Sequence, residues 1–401
     1  MSDSNRLRVS LVKEDTYGTT PTSPAMTVLE TTGQSLRDIL GYQQSQTIRN
    51  TANVKDLVRL SKSAGGGLPC ELVYPLFGST PGQAAYQLWE SLLRTTGEVQ
   101  IATIEDGSNR ILTITSGGTT IVRSGSVPGS WVTDGYAVGD IVQVAWASGA
   151  SSRWGKVTAV STLTLTLQLG DAFTWASTVA TGIIVSRGIR LTNGTTDRSF
   201  SIEIAALDVG KYQVFTGQVV DGASLTVADQ AITTANFTFQ GSSSTRGDAA
   251  ISGATYTNPT ASPVLDAIGV PHFYLGGNSY ACKSFSVELS INAAPRTQVG
   301  ALGPQSMRRG QFAANGRVQA YFQTFTEIDA YTGNAPSDFW MVLRDSNTSA
   351  LAISFPQMKW SDISAPDRGV NQDRYIEGSF TAYEDPTEAC TMKMFLFDVS
   401  L

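Results

Sequence analysis

The chain has 401 residues, carries 28 Lys and Arg against 34 Asp and Glu for a net charge of -6, and is only 15% charged, well below the about 25% of an ordinary soluble domain. One His and three dispersed Cys (Cys70, Cys282, Cys390) cannot assemble a zinc finger, haem site, His-rich metal site or disulfide framework, so no cofactor or metal is expected. No apolar run approaches the roughly 20 residues of a spanning helix, and a mildly acidic chain lacks the clustered Lys and Arg that grip phosphate backbones.

The opening, MSDSNRLRVS, contains no apolar signal segment, which points to synthesis in a reducing cytoplasm. Gln46–Asn50 precedes a strand, a Gly-rich connection over Ser61–Gly67 and a second strand over Leu68–Pro75. An amphipathic helix is expected over Pro81–Arg94, with Pro81 near its first turn and Ala85, Leu88, Trp89 and Leu92 at helical spacing. From Glu105 to Arg187 come Ile111–Thr115, Gly117-Gly118, Asp134-Gly135, Gly139–Val144, Lys156–Val160 and Thr162–Leu169. These read as a small β domain inserted in a loop. Apolar and polar residues then alternate with the period of half-buried strands over Ser199–Ile204, Tyr212–Val220, Ser224–Val227 and Asn236–Phe239. The alternation resumes over Ser284–Leu289, Arg317–Phe325, Leu351–Phe355, Tyr375–Tyr383 and Thr391–Phe397, with a weaker helix over Glu327–Thr332. The fold class is mainly β.

The two halves repeat one pattern. Gln46–Asn50, with its strand, Gly-rich connection, second strand and helix, matches Ser284–Asn292, a Pro/Gly-rich connection over Ala293–Gly310, the strand Gln311–Phe325 and the weaker helix. Arg190–Ile204 is expected to match Arg344–Phe355. Without the insertion the halves are nearly equal in length.

Catalytic constellations are absent. The chain has no G-x-S-x-G or C-x-x-C, and His272 lies in the apolar run Val270–Tyr274, as a core or interface residue does. Gly149–Val157 has the wrong spacing for a phosphate loop and Val157 where a magnesium-binding hydroxyl belongs. The pairs Asp134/Asp140 and Glu384/Asp385 read as turn carboxylates. The sequons at Asn193, Asn236 and Asn347 carry no meaning without a secretory signal. Trp131, Trp146, Trp154 and Trp175 in the insertion are expected to form its core rather than a sugar site. A secreted or surface adhesin or carbohydrate-binding protein is the rival reading, and it requires the signal segment the sequence lacks.

Leu11–Pro24 (LVKEDTYGTTPTSP), Gln46–Asn50 (QTIRN) and Gly65–Val73 (GGGLPCELV) together resemble the N-terminal part of tail tube proteins of long-tailed bacteriophages. Gly188–Ile204, Tyr212–Gly217 and Ala223–Ala228 resemble a later stretch of that family, and Asp134–Val144 with Gly155–Leu167 the insertion many members carry. The resemblance implies a duplicated β-sandwich, barrel-forming tube domain with one short flanking helix and an inserted small β domain. Divided so, residues 1–105 and 188–241 are the first tube domain, 106–187 the insertion on the tube exterior, and 242–401 the second tube domain. It further implies a structural, non-enzymatic virion protein whose rings stack into a conduit for DNA ejection. Its partners would be copies of itself, tape-measure, terminator and tail-tip proteins, and transiently passing DNA. Duplication favours a ring of three pseudo-sixfold subunits over a hexamer.

Strand alternation nominates lumen-facing residues: Ser199, Ser201 and Glu203 on one strand, Gln319 and Gln323 with Arg317 on another, and Glu377, Ser379 and Thr381 on a third. Gly65, Gly66, Gly67, Arg308 and Arg309 are nominated as loop residues that contact other subunits or rings.

Overall fold

The computed structural model describes residues 6–51, 53–73, 83–114, 118–146, 152–169, 182–259, 264–265, 272–344, 349–366 and 369–397. Its longest ladder is an antiparallel sheet of eight strands that runs through both halves of the chain. The order is Arg37–Gln44, Leu57–Glu71, Thr234–Gly241, the second half of Lys211–Ala228, Cys282–Ser290, Ala313–Tyr321, Tyr375–Tyr383 and the second half of Ala350–Ser364. Along each strand alternate side chains are buried, as with Ala235, Phe237 and Phe239 against exposed Thr234 and Thr238. A sheet with one wet face requires this pattern.

The two long strands belong to two layers. Lys211–Ala228 pairs through its first half with Phe200–Ala206 and Ser243–Gly247, beside Leu7–Lys13 and Ala25–Leu29. Ala350–Ser364 pairs likewise with Ser337–Arg344 and Lys393–Phe397, beside His272–Leu275. The space between layers is one apolar core shared by both halves. Leu11, Ile202, Phe215 and Phe237 belong to it, as do Phe285, Phe339, Phe355 and Phe380. Phe285 stacks on Phe339 at 4.8 Å. Helix Ala84–Leu93 buries Leu88, Trp89, Leu92 and Leu93 in the same core, with Trp89 edge-on to Phe237 at 4.9 Å. Pro81, expected to start this helix, lies outside the described residues. A second helix, Thr326–Thr332, forms where the weaker one is expected.

The halves repeat residue for residue in their ladders. Gly66 opposite Phe239 corresponds to Gly316 opposite Phe380. Phe200 opposite Gln218 and Ile202 opposite Phe215 correspond to Ser337 opposite Met358 and Phe339 opposite Phe355, with a bulge in each. A further bulge between Val220 and Gly222 has its twin between Trp360 and Asp362. Bulges are specific local features, and the same two in both halves fix the alignment. That alignment differs from the one expected from sequence: Phe200–Ala206 matches Ser337–Arg344, not Arg344–Phe355. The expected connection Ser61–Gly67 is instead the middle of strand Leu57–Glu71. Its glycines serve close approach, since a Cβ at Gly65 would lie 2.5 Å from the Phe239 carbonyl and one at Gly66 2.3 Å from that of Ser35.

Each layer crossing is held by a buried carboxyl group. Glu14 accepts hydrogen bonds from Ser199 Oγ (2.7 Å), Ser201 Oγ (2.8 Å) and the Gly217 amide (2.8 Å). In the second half Glu327 Oε2 accepts from Ser337 Oγ (3.0 Å) and Trp360 Nε1 (2.9 Å).

Seven strands between Ile101 and Arg187 form a separate sheet with its own core, in which Trp131, Val142, Val144, Leu165 and Val185 are buried. Trp154 instead points at the second half, edge-on to Phe397 at 4.6 Å and clustered with Ile141, Tyr274 and Trp340. Lys156 lies 3.3 Å from Asp338, Lys393 lies 2.9 Å from Glu388, and the Tyr274 hydroxyl donates to the Leu169 carbonyl at 2.7 Å. The back sheet here is covered on both faces, so Lys393–Phe397 is buried throughout rather than alternating. His272 is buried beside Trp340. Trp175 lies outside the described residues.

This packing makes two predictions about stability. Gly316→Ala puts a methyl 2.3 Å from the Phe380 ring and is expected to cost about 1–3 kcal/mol through overpacking. Trp154→Ala is expected to cost about 3–5 kcal/mol. Thermal unfolding of each variant reads both. A third concerns pH. Burial, the largest cause, raises the Glu327 pKa. Stabilisation tied to its protonated form is therefore complete below the unfolded carboxyl range of about 4.3 and lost as pH rises through the raised value. Glu327→Gln should accordingly gain in Tm on the wild type as pH rises above the unfolded carboxyl range; an unchanging difference contradicts this.

Candidate functional site

The inner face of the eight-stranded sheet packs on the core and its outer face is open. One cross-strand row on the open face runs Pro69, Asn236, Ser224, Glu288, Asn315, Thr381, Lys359, each residue opposite the next. The adjacent row runs Glu71, Thr234, Thr226, Ser286, Arg317, Ser379, Asp362. Small neutral side chains dominate. The charges, Glu71, Glu288 and Asp362 against Arg317 and Lys359, are of both signs and build no basic cluster to hold an anion. Several of these side chains fix one another: Thr381 Oγ1 donates to Asn315 Oδ1 (2.8 Å), Arg317 Nε to Ser379 Oγ (3.2 Å) and Gln319 Nε2 to Glu377 Oε1 (2.7 Å).

Of the residues nominated from sequence, Gln319, Glu377, Ser379 and Thr381 stand on this face, while Gln323 is exposed just past the end of its strand. Ser199, Ser201 and Glu203 do not reach it. They share one side of their segment, as alternation requires, but that segment belongs to the outer layer and its polar side is covered. Ser199 and Ser201 bond Glu14, and Glu203 accepts from Arg8 Nη2 (3.0 Å) and the Tyr256 hydroxyl (2.8 Å). All three are buried. Period-two patterning identifies a polar face; it does not say which layer owns it. Asn236, Ser224, Glu288 and Asn315 are missing from the sequence nominations, although their strands carry the same signal.

Gly65 and Gly67 share the open face and Gly66 the core face, all three within a strand. Arg308 is exposed, whereas Arg309 is held inside its own chain. Its Nη2 donates to the Arg198 carbonyl (2.7 Å) and its Nη1 lies 3.3 Å from Asp197.

The sheet's two outermost segments leave an edge open, Ser35–Ile39 at one end and Asp362–Pro366 at the other. No ladder partner lies beyond either among the described residues. Past the first edge the hairpin Arg37–Gln44/Leu57–Ala64 projects with Ile39, Tyr42, Leu57 and Leu60 each at least half exposed. Burial pushes the thiols of Cys70 and Cys282 up to about 12 and that of Cys390 to about 11, which makes them poor nucleophiles. Among the described residues no group of three or more His, Cys, Asp or Glu side chains could hold a metal ion.

An open, nearly neutral face bounded by two unsatisfied sheet edges is the geometry of an assembling subunit. No curated protein matches the chain. A family model described as phage tail tube protein matches residues 4–383, and the chain belongs to that family.

Proposed function

We propose that copies of this chain, a structural component of the phage virion, close into rings that stack as the tail tube, and that the open sheet face lines the lumen through which DNA is ejected. The observation that carries this is the eight-stranded sheet itself. It consists of two equivalent half-sheets already joined within the chain, and its outer edges have no strand partner among the described residues. Three copies supply six half-sheets, hence a pseudo-sixfold ring of three; a true hexamer of this chain is the alternative. Closure into a barrel removes the exposed edges that would otherwise recruit strands indiscriminately.

The lumen assignment rests on the chemistry of the face. Neutral hydroxyl and amide groups with charges of mixed sign let a polyanion slide past, whereas a row of Lys or Arg would release counterions and hold it. Gln319, Glu377, Ser379 and Thr381 keep their proposed lumen role; Ser199, Ser201 and Glu203 lose it, being buried. Residues 1–105 with 188–241 and residues 242–401 are proposed as the two tube domains. Residues 106–187 then decorate the exterior, because the inserted sheet covers the side of the second back sheet that faces away from the open face. Tape-measure, terminator and tail-tip proteins are the proposed heterologous partners.

Electron microscopy of the purified chain should show stacked rings with a central hole, and a three-dimensional reconstruction three copies per ring; a chain that stays monomeric at high concentration contradicts the proposal. Asn315→Lys combined with Thr381→Lys should still assemble but slow DNA release from reconstituted virions severalfold, with the slowing relieved by salt. Unchanged release kinetics would remove this face from the lumen.

A further inference from the structure

The junction between the halves has a counterpart at the open edges, and the two can be compared atom group by atom group. Inside the chain, Gly222–Ala228 pairs antiparallel with Ser284–Ser290, so that Ala223 faces Leu289, Ser224 faces Glu288 and Leu225 faces Val287. The ladder is bounded by the bonds Ile291 N to Asp221 O (2.8 Å) and Asp229 N to Lys283 O (3.0 Å). By the alternation of antiparallel pairing, Ala223–Leu289 and Leu225–Val287 are therefore hydrogen-bonded pairs and Ser224–Glu288 is not.

The internal repeat carries this register outward. The twin bulges place Gly222, Ala223, Ser224 and Leu225 on Asp362, Ile363, Ser364 and Ala365. The Gly66/Gly316 equivalence places Leu289, Glu288 and Val287 on Asp38, Arg37 and Leu36. The bond from Ser35 N to Gly67 O (3.0 Å) turns Ser35 toward its own sheet and leaves the Leu36 and Asp38 backbone groups pointing out. The mapping requires these same groups to be free.

Side chains agree with the mapping. Leu36 and Ile363 are buried against the shared core and Ala365 packs on it, so apolar contact would continue where Ala365 meets Leu36. Ile363 would face Asp38, whose carboxylate is held by Ser244 Oγ (2.9 Å) and Arg246 Nη2 (3.3 Å) of its own chain. On the open face Arg37 would lie diagonal to Asp362, within reach of an ion pair.

One departure from the repeat acts on the backbone of this edge. Leu72 N to Thr233 O in the first half corresponds to Phe322 N to Arg374 O in the second, so Arg374 stands where the first half has Thr233. The Arg374 guanidinium lies over the Phe322 ring and its Nε donates to the Ala365 carbonyl at 3.0 Å. That carbonyl is the equivalent of the Leu225 carbonyl, which serves the Val287 amide. The edge is thus held by a side chain that a strand could displace.

We propose that Asp362–Pro366 of one copy pairs antiparallel with Ser35–Ile39 of a second copy in the register of the internal junction, Ile363 to Asp38 and Ala365 to Leu36, with Arg374 yielding the Ala365 carbonyl to the incoming Leu36 amide. The proposal rests on the tube reading and adds to it the pairing edges, their register and the group that guards one of them. The same juxtaposition gives the exposed hairpin a seat. Within the chain the segment after Ile291 lies across the first half, with Lys62 N donating to Leu302 O at 2.8 Å. The hairpin Arg37–Gln44/Leu57–Ala64 of the next copy would lie across the second half in the same way.

The test is cysteine pairing in the assembled polymer. Arg37→Cys/Ser364→Cys occupies the non-hydrogen-bonded pair equivalent to Ser224 and Glu288, within the Cα separation a disulfide accepts. Arg37→Cys/Asp362→Cys samples a slip of two residues, at about 7–8 Å. Oxidation of the first variant should give covalent multimers on non-reducing gels, at least tenfold more than the second or the wild type. Polymers that cross-link only through the second pair, or through neither, overturn the register. A wild-type chain that forms no polymer counts instead against the tube reading. Arg374→Thr, which restores the residue of the first half, should shorten the lag of polymerisation severalfold; an unchanged or longer lag overturns the guarding role.

Discussion

The pairing of Gly222–Ala228 with Ser284–Ser290 is the interaction on which the rest of the structure depends. It fuses two half-sheets into one sheet and lets the cores beneath them merge. Among the described residues it also leaves the eight-stranded sheet with two open edges where two separate half-sheets would have four. A strand edge is a row of unsatisfied amides and carbonyls, and burying or pairing them is obligatory in a stable assembly. The fold satisfies half of this demand internally, and the proposed ring satisfies the other half with a copy of the chain.

Several local features make sense only under that constraint. The long strands Lys211–Ala228 and Ala350–Ser364 each serve two layers, so each needs a bulge to turn and a buried carboxyl group, Glu14 or Glu327, to hold the turn. Glycines 66 and 316 sit opposite phenylalanines 239 and 380 because a thin strand must pass close to a large ring or a neighbouring backbone. The low overall charge has the same origin. At the proposed junctions an unpaired charge would be costly, and on the open face hydroxyls and amides outnumber the charged groups. The acidic excess is not gathered on that face, where Glu71, Glu288, Glu377 and Asp362 are interleaved with Arg37, Arg317 and Lys359.

Much of this was legible in the sequence. Period-two alternation located most strands of the eight-stranded sheet, helical spacing located Ala84–Leu93, and the near-equal halves announced the repeat. What failed did so for physical reasons. Ser199, Ser201 and Glu203 look like a solvent-facing row, yet a covering segment with Glu14, Arg8 and Tyr256 buries them, and no local pattern reports a cover supplied from far along the chain. Gly65–Gly67 look like a flexible connection because composition cannot distinguish glycine needed for turning from glycine needed for close approach. The alignment of the halves slipped because the true anchors, bulges and Gly–Phe pairs, have no periodic signature. The edges, and Arg374 beside one of them, become visible only when the two ladders are set in register.

Amide hydrogen exchange on free chain and polymer tests the central claim most directly, because it reads the backbone groups of the open edges themselves. The amides of Leu36, Asp38, Ile363 and Ala365 should exchange readily in the free chain and become protected in the polymer to the level of Leu225 and Val287 at the internal junction. Polymers in which these four amides exchange as fast as in the free chain would contradict the account.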